Sequence, residues 1–163
     1  MKRNQRGFTL IELLIVVAII GIIVAISIAN FLLAIEKARQ RRTMSDMRSI
    51  STAIEIYQSD WNAYPPSAAF ALPTGLSLPT VAIGTKLTPV ISPTYLTRVP
   101  LVDGWNSWFV YSTDISNTDY CLGSNGQGGA PEAAPAFGPT TAFTADILMV
   151  DSTFVQYPSG TAF

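Results

Sequence analysis

An uncharged apolar run near the start of the chain limits the fold more than any other feature of the sequence. Leu13 to Ile35 is 23 residues long and contains no Asp, Glu, Lys or Arg. As a helix it is about 35 Å long, enough to cross the ~30 Å hydrocarbon core of a bilayer. It exceeds the apolar region of an ordinary cleaved secretory signal, which is about 7–15 residues long. The run therefore predicts a membrane span or a helix buried on every side.

The apolar run belongs to a longer predicted helix, from Phe8 to Trp61. All 11 prolines follow Tyr64, so nothing interrupts the helical pattern before that point. The second half of the helix carries an apolar stripe with steps of three and four residues, formed by Met47, Ile50, Ile54, Tyr57 and Trp61. A stripe with this spacing lies on one face of a helix, and we expect it to pack against the rest of the chain.

The remainder of the chain, residues 62–163, has the composition of a small β-rich domain, which we call the head. Residues 62–100 are rich in proline and predict a loop that wraps the helix. Four β-branched or aromatic runs follow, and they are Trp108–Tyr111, Tyr120–Leu122, Ile147–Val150 and Thr153–Tyr157. Asp151 and Ser152 separate the last two runs and predict a tight hairpin. The sequence thus predicts an α+β fold, a long helix packed on a small antiparallel sheet.

The residue types present argue against an enzyme. The chain has no histidine, which excludes Ser-His-Asp and Cys-His hydrolases. Its single cysteine, Cys121, can form neither an intrachain disulfide nor a cysteine-rich zinc site, and we expect a small buried side chain there. An aspartate dyad of Asp114 and Asp119 is the remaining catalytic hypothesis, and solvated turn residues explain the pair equally well.

A short motif in front of the apolar run carries a family resemblance. Residues 7–12 read GFTLIE, after a leader that contains Lys2, Arg3 and Arg6. This arrangement resembles the N-terminal signature of the type IV pilin superfamily, closely over residues 1–35 and more loosely beyond. The resemblance implies that a prepilin peptidase cleaves after Gly7 and methylates the new amino terminus at Phe8. It divides the chain into a leader (1–7), a membrane or filament-core helix (8–35), an amphipathic helix half (36–61) and the head (62–163).

Glu12 is an acidic residue at the edge of the apolar segment. An ionised side chain costs ~2.5–3.5 kcal/mol near the centre of a bilayer, so an acidic residue in such a segment suggests a functional partner. The resemblance implies that Glu12 neutralises the amino terminus of Phe8 in a neighbouring subunit. The alternative is a carboxylate at the helix N-terminus, favoured by the helix dipole and lying at the lipid headgroups.

The resemblance also implies a location and a set of partners. Five basic residues follow the span and three precede it, so the positive-inside rule alone would place the C-terminus in the cytoplasm. Cleavage after Gly7 requires the opposite orientation in the bacterial inner membrane, with the head outside the cytoplasm. The implied partners are copies of this chain in a helical filament, minor pilins or pseudopilins, the peptidase, the assembly platform and membrane lipid. Nucleic acid is disfavoured, because the basic cluster lacks interleaved aromatic residues.

The C-terminal third favours one branch of the superfamily. Asp103–Trp108 and the Gly-rich segment 120–129 resemble the corresponding region of the major pseudopilins of type II secretion, with residues 130–144 as an insertion. We therefore expect a pseudopilus subunit, with a type IV pilus subunit for adhesion, motility or DNA uptake as the first alternative. A membrane-anchored domain that forms no filament is the second. The sequence departs from many pilins in having Ala29 before Asn30-Phe31 in place of proline, and in lacking a second cysteine.

The same resemblance implies a calcium site in the head. The matching residues are Leu122 (through its carbonyl), Asn125 and Asp146, and their oxygen atoms suit Ca²⁺. Asn125 is neutral where the family has a charged residue, which predicts weaker binding than in the family. A Gly-rich surface turn, with Asp146 at the start of a strand, is the alternative interpretation.

Overall fold

A computed structural model describes residues 7–67, 82–114, 116–132 and 136–160. The helices are α1 (Leu10–Trp61), α2 (Ile83–Lys86) and α3 (Thr88–Ile91). The strands are β1 (Val110–Thr113), β2 (Tyr120–Ser124), β3 (Gly138–Thr140), β4 (Ile147–Val150) and β5 (Thr153–Pro158). This order confirms the predicted α+β class. The chain divides into two compact units, Met1–Lys37 and Ala38–Phe163.

The first unit contains the apolar half of α1. Its large apolar side chains from Phe8 to Leu33 are exposed, and the described residues bury none of its most apolar 18-residue stretch. By length and composition α1 is long and apolar enough to cross a membrane. The predicted helix over 8–61 is confirmed to within two residues at its start, at Leu10.

The second unit contains a five-stranded sheet in the order β1-β2-β4-β5-β3. Neighbouring strands are antiparallel except β3, which pairs parallel to β5. The antiparallel sheet that the sequence predicts is found in three of the four strand pairs, and the parallel pair at the β3 edge was not predicted. Strand β3 has the sequence Gly-Pro-Thr, which is too short and too poor in β-formers to be recognised. Proline is tolerated there because β3 is an edge strand.

The predicted hairpin between β4 and β5 is confirmed. Asp151 and Ser152 have φ of 44° and 63°, the left-handed values that a two-residue type I′ turn requires. The start of β1 was predicted two residues early, since Trp108 makes only an isolated bridge to Val102 and its ring is exposed.

The amphipathic stripe of α1 packs against the sheet as predicted over most of its length. Met47, Ile50 and Ile54 are fully buried in the core, with residues of β1, β2 and β4. Tyr57, which we expected to be buried, is half-buried, and Trp61 is 66% exposed. Both lie at the end of the helix, where Tyr57 packs edge-on against the Tyr95 ring and Trp61 Nε1 donates a hydrogen bond to Tyr95 Oη.

The segment predicted as a loop, residues 62–100, contains two short helices. Ile83, Leu87 and Ile91 are fully buried, and their spacing of four places them on one helical face. This spacing extends over two short helices within a proline-rich segment, and the prolines favoured the prediction of a loop. Residues 68–81 of the predicted loop lie outside the described residues.

Candidate functional site

The predicted cleavage position lies just before α1. Gly7 and Phe8 precede the first helical residue, and both are exposed. A Cβ atom added to Gly7 would meet nothing within 4 Å among the described residues. The fold of this chain therefore does not itself require glycine at position 7.

Glu12 and Thr9 form a capping box at the start of α1. Glu12 Oε2 accepts hydrogen bonds from Thr9 N at 2.9 Å and from Thr9 Oγ1 at 2.7 Å. In return, Glu12 N donates to Thr9 Oγ1 at 3.3 Å. These bonds satisfy backbone donors that the first turn of a helix leaves unpaired. The contact between Glu12 and Phe8 of another subunit stays a prediction.

Thr9 is the residue that sequence analysis missed at this end of the chain. Its signal was present, because Thr9-Leu10-Ile11-Glu12 follows the T-x-x-E pattern of a capping box. The carboxylate of Glu12 thus has a partner within its own chain, which lowers the cost of placing it beside apolar residues.

Asn125 and Asp146 lie opposite each other at one end of the sheet. Ser124, the last residue of β2, pairs with Ile147, the first residue of β4, so the next residues on each side are Asn125 and Asp146. Gly126 keeps them close, with a φ of 58°, and a Cβ atom there would collide with the carbonyl oxygen of Ala145. The structure therefore brings together two of the three residues predicted to bind calcium.

One side-chain oxygen atom of each residue is buried without a hydrogen bond. Asn125 Oδ1 and Asp146 Oδ1 have no partner among the described residues, and Asp146 is fully buried. Burial raises the pKa of Asp146 to about 6, although a backbone hydrogen bond from Glu132 opposes that rise. Two unpaired acceptors next to carbonyl groups suit Ca²⁺, which takes six to eight oxygen ligands. The described residues contain no group of three His, Cys, Asp or Glu side chains arranged for a metal, so backbone and amide oxygens would have to contribute.

Leu122 lies inside β2, where it pairs with Tyr111 of β1 and with Met149 of β4. The backbone of Leu122 therefore has a paired strand on each side. Its carbonyl as a calcium ligand stays a prediction.

Asp103 is a buried carboxylate that sequence analysis did not assign a role. It accepts hydrogen bonds from Ser124 Oγ at 2.6 Å and from the backbone N–H groups of Trp105 and Ser107, each at 2.9 Å. The first bond fixes the residue before Asn125. The signal was the Asp-x-Trp pattern, since an Asp side chain commonly accepts from the backbone two residues on.

Turn formation explains Asp114 and Asp119, the aspartate pair that was the remaining catalytic hypothesis. Burial favours a higher pKa for Asp114, but hydrogen bonds from the backbone of Asp119, Thr118 and Ser116 outweigh it and lower the pKa. Its carboxylate is thus held by the turn that joins β1 to β2. Cys121 is fully buried, as predicted, and burial raises the pKa of its thiol to about 12.

Two family models match this chain. One, described as "Prokaryotic N-terminal methylation motif", matches residues 2–28. The other, described as "Type II secretion system (T2SS), protein G", matches residues 30–136. Together they cover the N-terminal motif, Asp103–Trp108 and the Gly-rich segment 120–129, and they end before Asp146.

Several curated proteins are similar over most of their length. The type II secretion system core protein G of Pectobacterium carotovorum subsp. carotovorum is 33% identical over 126 residues, which are 77% of this chain and 71% of that protein. The core protein G of Klebsiella pneumoniae is 27% identical over 85% of this chain and 96% of its own length. The type IV wide pilus major component of Thermus thermophilus is 32% identical over 82% of this chain and 99% of its own length.

Proposed function

The chain belongs to the type II secretion system protein G family, and we infer that it is the repeating structural subunit of a pseudopilus, without a catalytic role. The observation that carries this proposal is the order of two matches. A methylation motif over residues 2–28 stands directly before a protein G match over residues 30–136. The apolar half of α1 supplies the membrane anchor before assembly and the filament core afterwards.

Processing of the amino terminus is the first step of the proposed pathway. A prepilin peptidase cleaves between Gly7 and Phe8 on the cytoplasmic face and methylates Phe8. Both residues are exposed ahead of α1, so the peptide bond is accessible without unfolding the helix. Because the fold leaves open space at Gly7, the demand for glycine comes from the peptidase.

Assembly then uses the charge of Glu12. In the proposed filament its carboxylate pairs with the amino terminus of Phe8 in a neighbouring copy, within a core of stacked apolar helices. Pairing in such a low-dielectric core is strong only where both charges are desolvated together. In the single subunit the bonds from Thr9 hold the same carboxylate, so assembly replaces a local partner with one on another copy.

The proposed orientation places the head outside the cytoplasm. Arg42 is largely exposed and forms an ion pair with Asp46 at 3.6 Å, one turn further along α1. The basic residues from Lys37 to Arg42 suit anionic lipid headgroups before assembly and acidic surfaces of neighbouring subunits afterwards.

Calcium binding at the end of the sheet is a second part of the proposal. Asn125 and Asp146 would hold the ion together with backbone carbonyls. Its chemistry there is structural, since Ca²⁺ supplies the positive partner that two buried, unpaired oxygen atoms lack. The ion would fix the Gly-rich loop onto the segment before β4. Melting of the full chain in detergent with and without millimolar Ca²⁺ tests this, because binding to the native state alone raises the melting temperature. The absence of a shift, or an equal shift in Asp146→Ala, contradicts it.

A substitution pair tests the assembly role. Glu12→Val removes the charge, and Ser27→Ala is the control, since it removes a polar group from the same helix without a charge. We expect Glu12→Val to insert into the membrane at least as well as the wild type, but to yield few filaments when the secretion machinery is present. Ser27→Ala should assemble normally. Wild-type filament yield from Glu12→Val would refute the role of Glu12.

A type IV pilus subunit is the second candidate, favoured by the likeness to the Thermus pilus component over nearly its whole length. Complementation separates the two. A pseudopilus subunit restores secretion to a strain that lacks its own protein G, whereas a pilus subunit restores surface pili to a strain that lacks its major pilin.

A further inference from the structure

Three buried oxygen atoms without a hydrogen-bond donor belong to one corner of the sheet. They are Asn125 Oδ1, Asp146 Oδ1 and Gln156 Oε1. In the described part of the chain, Ser112 Oγ is the only other buried side-chain polar atom without a hydrogen-bond partner. Buried polar atoms are nearly always paired, so a concentration of acceptors without donors calls for an explanation. Several oxygen acceptors that lack hydrogen-bond donors can instead all bind one hard cation.

Glu132 links two of these residues. Its backbone N–H donates to Asp146 Oδ2 at 2.7 Å, and its carboxylate Oε2 accepts from Gln156 Nε2 at 2.8 Å. Glu132 is half-buried, and it lies in the segment 130–144 that sequence analysis treated as an insertion. The second carboxylate oxygen, Oε1, accepts no hydrogen bond from the described residues. A negative side chain is thus held beside a fully buried aspartate.

Gln156 sets the position of that carboxylate. It is only 1% exposed and lies in β5, where it pairs with Leu148 of β4 on one side and with Gly138 of β3 on the other. Directly paired residues project from the same face of a sheet, and so do residues two apart along a strand. Gln156 and Asp146 therefore face the same side, and strand pairing on both sides of β5 fixes the position of the amide that Glu132 binds.

The charge of the corner is the reason to assign Glu132 a role. Asn125 is neutral, so Asp146 alone supplies a formal charge among the residues that the resemblance indicates. Calcium affinity rises with the number of charged ligands. Without a cation, the carboxylates of Glu132 and Asp146 would repel each other, because little water surrounds them. A divalent ion balances the charge of both.

We propose that Glu132 is a charged ligand of the calcium site and that Gln156 is its positioning residue. This inference rests on the proposed calcium site and adds to it a ligand from the segment 130–144. That segment replaces the charge that Asn125 does not supply.

The test is calcium binding to the full chain in detergent micelles, measured by equilibrium dialysis with radioactive Ca²⁺. We compare the wild type with Glu132→Gln, Gln156→Met and Asp146→Asn. Asp119→Asn is the matched control, since it removes one carboxylate at the opposite end of β2. We expect Glu132→Gln to weaken binding about 10–100-fold and Gln156→Met about 10-fold, as is typical when a ligand or its support is lost. Asp119→Asn should bind like the wild type.

A second measurement separates a ligand from a structural residue. In the presence of chelator, Glu132→Gln should melt at the same temperature as the wild type or higher, because it removes one of two like charges and keeps the backbone bond to Asp146. A lower melting temperature in chelator would show a structural role and overturn the proposal. Wild-type affinity in Glu132→Gln, with binding lost in Asp146→Asn, would also overturn it and leave the calcium site standing. A wild-type chain that binds no calcium would overturn both, without bearing on the filament role.

Discussion

Ile54 and Ile56 lie two residues apart on α1 and differ in burial. Ile54 is 0% exposed in the core, whereas Ile56 is 46% exposed on the other face. Replacing either with alanine removes the same three carbon atoms. At Ile54 the loss combines ~0.8 kcal/mol per buried methylene with the cost of the cavity left behind, so we expect about 2–5 kcal/mol. At Ile56 no cavity forms, and we expect less than about 1 kcal/mol.

Urea unfolding of the full chain in mild detergent measures both values. All three tryptophans lie between residues 61 and 108, so their fluorescence reports the C-terminal unit and not the apolar half of α1. With a slope of about 1–3 kcal/mol/M, Ile54→Ala should lower the midpoint by roughly 1 M or more. Equal losses in the two variants would refute the assignment of the buried face. Ile54→Asp should prevent folding altogether, since it buries an unpaired charge.

Three further predictions concern single positions. Gly7→Leu should leave the precursor uncleaved in the membrane while Gly7→Ala is processed, as judged by electrophoresis of the membrane fraction; normal processing of Gly7→Leu would contradict the cleavage position. Gly104→Ala should destabilise the fold by about 1–3 kcal/mol or more, because the new Cβ would lie 2.5 Å from the carbonyl oxygen of Arg39. Gly84→Ala is the control, since its new Cβ meets only side-chain atoms, the nearest of them at 3.3 Å. In chelator, the free energy of unfolding should fall by about 2 kcal/mol as pH rises from about 4 to about 6. Burial raises the pKa of Asp146 to about 6, so over this range the folded state keeps a proton that the unfolded state has lost. Asp146→Asn should flatten that slope.

The sequence predicted the features that depend on local pattern. The long helix followed from the absence of proline, the core face from Met47, Ile50 and Ile54, and the hairpin from Asp151-Ser152. Each of these signals is contained within a few residues of the element that it specifies.

The features that were missed depend on contacts between distant residues. Strand β3 exists because Gly138–Thr140 pairs with β5, and nothing in Gly-Pro-Thr itself indicates a strand. Tyr57 and Trp61 are only partly covered, and the residue that both of them contact is Tyr95. The spacing of the apolar stripe could not indicate where the chain near Tyr95 lies.

The residues of the candidate sites likewise divide into those that a local pattern or the resemblance identifies and those that only the fold brings together. Asn125 and Asp146 were identified through resemblance, and the register of β2 with β4 brings them together. Glu132 and Gln156 could not be found in this way, since 24 residues separate them and only the sheet joins them. Thr9 could have been found, because the capping box is a local pattern.

Mass spectrometry of the N-terminus in sheared filaments tests the central claim most directly. The cells must contain the prepilin peptidase and the secretion machinery, and the filament fraction is digested and sequenced. A processed pilin-like subunit predicts a chain that begins at Phe8 and carries one methyl group on its amino nitrogen. A chain that still begins at Met1 would contradict the account. So would one that begins at Asn30, because Ser27-Ile28-Ala29 imitates the small-x-small site of an ordinary secretory signal.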